Sequence, residues 1–315
     1  MDVLILGTGA MASLVGAHLA RAQRARVTLA GTWVAAIEAI AASGVTVEEY
    51  AGAWSVAARA ISLEAVAHAA ADLVVVLVKS HRTGDVAAPA ALAVRPDGCV
   101  LTLQNGLGNR EVLERACGRG RVGVGVITAG ATLVAPGRVF MADRGRVTLA
   151  GDGIGPAAAE SLAGLFAGAG FAVETAGDFE PVVWRKLAVN CAINPLAALL
   201  GVPNGALLDS APARQRLAGA AREVGAVAAA RGIVLGDDPA RLALEVAART
   251  TRNRSSMLQD LERGAPTEIE FLCGAVAREG RRLGVPTPIN DWLWSEVRRR
   301  ESEHRPVAQA PMGGE

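Results

Sequence analysis

The sequence predicts an α/β domain built on a mainly parallel sheet, followed by an all-helical domain. Three observations predict it. A short apolar run at 3–6 leads into Gly7-Thr8-Gly9-Ala10-Met11-Ala12 and then a helical pattern, the strand–glycine turn–helix opening of a doubly wound sheet. Apolar runs of strand length then recur, several of them separated by helical patterns, as far as residue 174, which suits strands joined by helical crossovers. Beyond about Gly177 no strand pattern returns and the period is helical. The expected domains are 1–178 and 179–305, with a loose tail at 306–315 that contains Pro306, Pro311, Gly313 and Gly314.

The strands are expected at 3–6, 27–30, 73–78, 99–103, 122–127 and 147–150, each a short apolar run of the kind buried on both faces. Helices are expected from the glycine turn to about 22, and at 34–42, 85–94 and 110–116. Residues 129–134 and 138–141 flank Ala135-Pro136-Gly137 as a hairpin; 156–168 is a helix and 171–174 the last strand. In the second domain the helices are 181–200, 212–231, 239–250, 255–263, 268–283 and 289–300. Pro212 suits a first helical position, Thr267 with Glu270 forms a capping box, and Gly284 is a C-terminal stop. Pro195 removes a backbone donor and is expected to kink or restart its helix just after Asn194.

The bulk properties narrow the function classes. A chain of 315 residues, 51% hydrophobic and 20% charged, is large enough for two cores. A net charge of +1 gives no bulk reason to expect nucleic acid or a membrane surface as partner. Cys99, Cys117, Cys191 and Cys273 are too scattered for a disulfide framework or a zinc pattern. They read as buried small hydrophobes in a reducing cytoplasm, and no metal is expected. The first apolar run is strand-sized and has no basic segment before it, unlike a signal peptide. No uncharged apolar stretch reaches spanning length.

In the glycine turn, Gly7 permits the tight bend, Gly9 lets backbone approach a diphosphate, and Ala12 is small enough for helix–strand packing. The N–H groups of Thr8, Ala10 and Met11 lie where a helix N-terminus attracts phosphate. After the second strand the chain reads Leu29-Ala30-Gly31-Thr32-Trp33. No carboxylate stands there to repel a 2′-phosphate and no arginine to bind one. Thr32 is either a hydrogen-bond donor to NADP or a turn residue and helix cap, and NAD stays open. Lys79-Ser80-His81 and Gln104-Asn105-Gly106 fall after expected parallel strands, where open α/β sheets bind ligands. Lys79 is a contact for the cofactor or a carboxylate, or else a solvated lysine; Asn105-Gly106 is a ligand loop or a turn. His81 reads as an exposed loop residue, and His18, His68 and His304 have no partner pattern.

The helical domain carries polar groups among apolar neighbours. Lys186, Asn190 and Asn194 are spaced by four and share one helical stripe beside Trp184, Leu187, Val189, Ile193 and Leu196. A partly desolvated Lys186 is a usable proton donor; the simpler reading is a lysine reaching water and asparagines bridging helices. Ser256 and Glu268 lie on two helical pieces broken at Gly264-Ala265-Pro266, which can bring both towards one site. Otherwise Asn253, Ser255 and Ser256 are an N-cap cluster, Glu268 a first-turn charge and Asp260 an exposed helix charge.

These segments resemble the ketopantoate reductases (2-dehydropantoate 2-reductases) over nearly the whole chain. The resemblance rests on residues 184–196 (WRKLAVNCAINPL), Pro203-Asn204-Gly205, residues 255–260 (SSMLQD), Thr267-Glu268-Ile269-Glu270 and Leu103-Gln104-Asn105-Gly106. It implies a Rossmann-type domain, a helical domain, an active site in the cleft between them, and NADPH-dependent reduction of the C2 ketone of ketopantoate to (R)-pantoate. It makes Lys186 the general acid, and Glu268 the group that binds the nascent hydroxyl and orients Lys186. Asn105, Asn190, Asn194 and Ser256 hold the substrate and nicotinamide end, Asn253 and Asp260 lie near the same wall, and Lys79 sits near cofactor and carboxylate. The chain departs from the family at Ala12, in place of a third glycine, and at Gly31-Thr32, where many members carry a basic residue. A reductase of another 2-oxo acid retains the same residues. A non-catalytic nucleotide sensor needs the fold but not Lys186 with Glu268. The alanine-rich helices offer a homodimer face as well as an ordinary core.

Overall fold

A computed structural model describes residues 1–304, with side chains through 303. The expected tail at 306–315 and the side chain of His304 lie outside the described residues. In chain order the elements are β1 (Asp2–Leu6), α1 (Ala10–Arg21), β2 (Arg26–Gly31), α2 (Val34–Ser43), β3 (Val45–Glu49), β4 (Gly52–Val56), β5 (Arg59–Ser62), β6 (Ala71–Val76), α3 (Thr83–Ala93), β7 (Val94–Thr102), α4 (Asn109–Cys117), β8 (Val122–Ile127), β9 (Gly130–Ala135), β10 (Arg138–Asp143), β11 (Arg146–Ala150), α5 (Pro156–Gly168), β12 (Ala172–Ala176), α6 (Glu180–Leu200), α7 (Ala211–Ala230), α8 (Pro239–Arg249), α9 (Ser256–Glu262), α10 (Cys273–Leu283) and α11 (Pro288–His304). They divide into two compact units: Met1–Leu187 with Ile233–Gly236, and Ala188–Gly232 with the chain from Asp237 onward.

The first unit is the α/β domain. Its main sheet has the order β12-β11-β8-β7-β6-β1-β2-β5. From β8 to β5 every pairing is parallel; β11 runs antiparallel to β8 and β12 parallel to β11. Alternate residues of each strand feed different cores. Val3 and Ile5 pack with Leu14 and Val15 of α1 and with Leu162 and Phe166 of α5. Leu4 and Leu6 pack with Val86 and Ala90 of α3 and with Leu113 of α4. Burial on both faces explains why these strands read as continuous apolar runs.

The expected hairpin is the antiparallel pair β9–β10, but it is half of a four-stranded sheet, β4-β3-β10-β9. The sequence reading missed β3, β4 and β5. Their composition is mixed and most of β4 and β5 is half-buried or exposed, so no apolar run marks them. Val45, Val47, Val139 and Met141 of the small sheet join the same core as α1. Helix α1 is therefore covered by both sheets, and its residues from Ala12 to Leu19 are all buried. His18 is among them, with its ring edge-on to Trp54 and Phe171 at 5.1 Å each.

The second unit is helical throughout the described residues. Ser210, Asp238 and Ser255 cap α7, α8 and α9 with their side chains, and Gly284 ends α10 in the left-handed conformation. Of the kink or restart expected at Pro195, the restart does not occur: helix α6 is continuous through Pro195. Proline deprives the Cys191 carbonyl of its intrahelical donor, and the Cys273 thiol donates to that oxygen at 3.7 Å. Nor does a helix start at Glu268 behind a capping box. The Phe271 and Leu272 N–H groups donate to the Glu268 carbonyl, and Gly274 to that of Ile269, which makes a compact turn before α10. Burial of Ile269 and Leu272 favours this turn. Thr267 Oγ1 accepts from Ile269 N–H at 3.2 Å, while Glu270 accepts from the Trp294 indole at 2.8 Å and pairs with Arg278.

Candidate active site

In the first unit the strands β1, β6, β7 and β8 are consecutive and parallel, so their C-terminal ends line one edge. At about 4.8 Å per strand this edge spans roughly 14 Å. The strand order reverses between β1 and β6, which makes the switch point where such sheets bind ligands. The glycine turn stands there. Gly7 N–H donates to the Ala30 carbonyl at 2.8 Å, and Leu77 N–H to the Leu6 carbonyl at 2.9 Å.

Gly7 has φ +135°, and a Cβ on it would lie 3.0 Å from the Leu77 carbonyl oxygen and 3.2 Å from Ala12 Cβ. That close approach explains why residue 12 must also be small. A Cβ on Gly9 would meet nothing within 4 Å. Gly9 is the exposed N-cap of α1, with no side-chain cap and no acidic residue in the first turn. Open space beside a helix N-terminus fits a diphosphate. Thr8 is buried, its side chain 2.9 Å from where a Cβ on Gly31 would lie, so the β2 end packs against the turn. Thr32 and Trp33 beyond it are exposed; Trp33, not Thr32, is the N-cap of α2.

The loops after β6 and β7 are joined by a buried polar network. Ser80 Oγ donates to the Asn105 carbonyl at 2.7 Å, and Asn109 Nδ2 to the same oxygen at 2.9 Å. Asn109 Nδ2 also reaches Ser80 Oγ at 3.2 Å, and Thr83 Oγ1 donates to Asn109 Oδ1 at 2.8 Å. Gln104 Nε2 donates to the Val78 carbonyl at 2.8 Å and to Thr83 Oγ1 at 2.9 Å. Buried polar groups are stable only when partnered in this way. The result is a firm seat for half-buried Lys79 and Asn105. His81, by contrast, is exposed.

Lys186 stands at the last strand of this edge. Its ammonium donates to the Ile127 carbonyl at 2.7 Å. Strand β8 continues past its final pairing with β7, Thr102↔Val124, so the Ile127 carbonyl lies beyond that ladder. Phe179, Val182 and Val183 pack against Val126 and Ala150 and seat the start of α6. Trp184 is fully buried and its indole donates to Glu180 at 3.0 Å. Between residues 184 and 198 of α6 only Arg185, Lys186, Val189, Asn190 and Asn194 are not buried, so the stripe drawn from the spacing of four is the accessible one.

In the second unit, Asn190 and Asn194 lie on α6, and Ser255 Oγ donates to the Asn194 carbonyl at 3.2 Å. This bond brings the start of α9, with exposed Ser256 at its first position, to α6. Asn253 is held through its carbonyl, which accepts from Asn204 N–H at 2.9 Å. Glu268 is buried (6% exposed) in the turn before α10, not in the first turn of a helix. The Cys273–Cys191 contact fixes the end of that turn beside α6. Asp260 is also buried (2% exposed), binding Arg263 at 2.8 Å, and so is not the exposed charge of the simpler reading.

The sequence reading did not single out Asn109, Ser80 or Ser255 as site components, although all three fix the main chain of candidate residues. Asn204 entered only as part of a motif; its Nδ2 donates to Thr250 Oγ1 at 2.9 Å, and with Gly205 N–H to the Thr251 carbonyl it clamps the turn leading to Asn253. The available signals were a serine before a helix and polar residues at helix starts after glycine, too common to single out a site.

Comparison with known proteins is consistent in both units. Residues 3–152 match the family model "Ketopantoate reductase PanE/ApbA", and residues 178–301 its C-terminal counterpart. The 2-dehydropantoate 2-reductase of Halobacterium salinarum is 38% identical, covering 95% of this chain and 98% of that protein. The Pyrococcus horikoshii protein of the same name is 35% identical, covering 96% and 98%. The crystal structure of a PanE/ApbA family ketopantoate reductase from Ralstonia eutropha superposes with a TM-score of 0.88 at 34% identity, covering 96% and 99%. A ternary structure of D-mandelate dehydrogenase with NADH and anilino(oxo)acetate gives a TM-score of 0.92 at 26% identity over the same shares. With both domain models matched and relatives aligned over almost its full length, the chain belongs to the ketopantoate reductase family.

Proposed function

We propose that this protein is an oxidoreductase that reduces 2-dehydropantoate to (R)-pantoate, with NADPH as hydride donor. The observation that carries the reading is Lys186: a half-buried ammonium, held at 2.7 Å by a main-chain carbonyl at the end of β8, on the accessible stripe of an otherwise buried helix segment. The curated relatives of that name support the substrate, and a neighbour described with NADH supports a nicotinamide cofactor.

The cofactor would be held by the turn from Gly7 to Ala12, Thr32, Lys79, Asn105 and Glu268, and when bound it supplies the hydride. The protein's own residues do the rest. Negative charge builds on the C2 oxygen as hydride arrives, and Lys186 stabilises that charge and delivers the proton. Glu268 holds the nascent hydroxyl. Asn105, Asn190, Asn194 and Ser256 orient the 2-oxo acid and the nicotinamide, with Asn253 and Asp260 near the same wall. The absence of a carboxylate at Gly31-Thr32 favours NADPH without excluding NADH. A homodimer and a cytoplasmic location are further expectations of this reading.

A second reading, reduction of a different 2-oxo acid, is favoured by the D-mandelate dehydrogenase likeness. Oxidation of NADPH and of NADH, each with ketopantoate and with 2-oxoisovalerate, separates the two. Preference for ketopantoate supports the first; turnover only of another oxo acid replaces it with the second. Lys186→Ala should lower turnover by about 10²- to 10⁴-fold, the range of general acid catalysis, while cofactor still binds. Unchanged turnover would remove Lys186 from the mechanism.

A further inference from the structure

We propose that Asn109, the first residue of α4, is a positioning residue that sets Asn105 against the cofactor. The inference rests on the reading that Asn105 serves the nicotinamide end, and it assigns Asn109 no contact with any ligand.

Gly106 and Gly108 both have positive φ, +80° and +92°. Glycine takes either hand at little cost, so this stretch has weak preferences of its own. Its shape must be imposed from outside. The imposed constraint converges on one atom, the Asn105 carbonyl oxygen, which accepts from Asn109 Nδ2 at 2.9 Å and from Ser80 Oγ at 2.7 Å. One donor comes from the start of α4 and the other from the loop after β6. Asn109 is only 4% exposed, whereas the start of a helix is ordinarily wet. Its amide is used on both sides, because Oδ1 accepts from Thr83 Oγ1 at 2.8 Å. The Thr83 bond alone would tie α4 to α3. The bonds to Asn105 and to Ser80 are additional, and they lock the loops carrying Asn105 and Lys79 into one body. Removing the Asn109 amide should therefore release Asn105 without altering the Asn105 side chain.

The test is a double-mutant cycle on the full-length protein, read as the dissociation constant for NADPH from nucleotide fluorescence. Asn105→Ala and Asn109→Ala should each weaken NADPH by about tenfold, a difference of about 1.4 kcal/mol. The double variant should be no weaker than Asn105→Ala alone, which is the signature of coupling. Independent, multiplying effects overturn the proposal, and so does an unchanged constant in either single variant. Ser80→Ala removes the second donor to the same carbonyl with a smaller change. If Asn109→Ala fails to fold, the cycle of Ser80→Ala with Asn105→Ala decides on the same criteria. The cycle needs no oxo acid, so failure of wild-type protein to reduce ketopantoate counts against the proposed function and not against this inference. If NADPH does not bind, NADH takes its place; binding of neither overturns both.

Discussion

Gly7 and Gly9 belong to one motif, yet the structure gives them different work, and alanine at each position separates the two. Gly7 sits at φ +135°, a conformation that L residues rarely adopt, and its added methyl would lie 3.0 Å from Leu77 O and 3.2 Å from Ala12 Cβ. Backbone strain of that kind costs about 1–3 kcal/mol, before the contact with Leu77, just after β6, is counted. Gly9 sits at φ −82°, ψ −173°, which alanine adopts freely, and its methyl would meet no protein atom within 4 Å. Two opposing small effects act there: alanine lowers the entropy of the unfolded chain by about 0.4–1 kcal/mol, and it is a poorer N-cap than glycine by up to about 1 kcal/mol. They nearly cancel. The Gly9→Ala methyl instead fills space that a diphosphate would use. Urea unfolding should place Gly9→Ala within about 1 kcal/mol of the parent and Gly7→Ala clearly below it. Titration with NADPH should show Gly9→Ala weakened more than tenfold, about 1.4 kcal/mol or more. A Gly9→Ala protein as destabilised as Gly7→Ala, or one that binds cofactor like the parent, would refute the division of labour.

Burial in the α1 core, with the Arg144 charge nearby, lowers the His18 pKa from 6.5 to about 4, so the neutral ring is the folded form. Its contribution, on the order of 3 kcal/mol, is complete above pH 6.5 and is lost as pH falls through about 4. Unfolding free energies of wild type and His18→Leu should diverge over that window, and parallel pH slopes would contradict the assignment. Cys273→Val leaves the Cys191 carbonyl, already deprived of a donor by Pro195, without the thiol; a loss of about 1–3 kcal/mol is expected. Cys273→Ser should recover most of it in the same urea titration, and equal stability of the two variants would mean that the thiol donates nothing.

Local signals made much of this protein legible in its sequence. The glycine turn, the apolar runs of β1, β2, β6, β7 and β8, and the helical periods after residue 177 are properties of neighbouring residues, and they produced the elements expected, except that the helix expected from 268 begins only at Cys273. The spacing of Lys186, Asn190 and Asn194 drew the right stripe, because helix geometry alone fixes it. Strands β3, β4 and β5 were invisible, since their residues become strands through pairing, β3 with β10, β4 with β3 and β5 with β2, rather than through an apolar run. Residues 267–272 carried a capping signal, and burial of Ile269 and Leu272 overrode it. The partners of the candidate residues lie furthest from the reach of pattern. Lys186 meets a carbonyl 59 positions earlier in the chain, and Ser255 meets one 61 positions earlier. Local pattern was enough to say on which helices and loops the candidate residues lie. What holds those groups was settled by the folded chain alone, because a main-chain carbonyl has no side-chain identity and becomes a partner only where folding brings it.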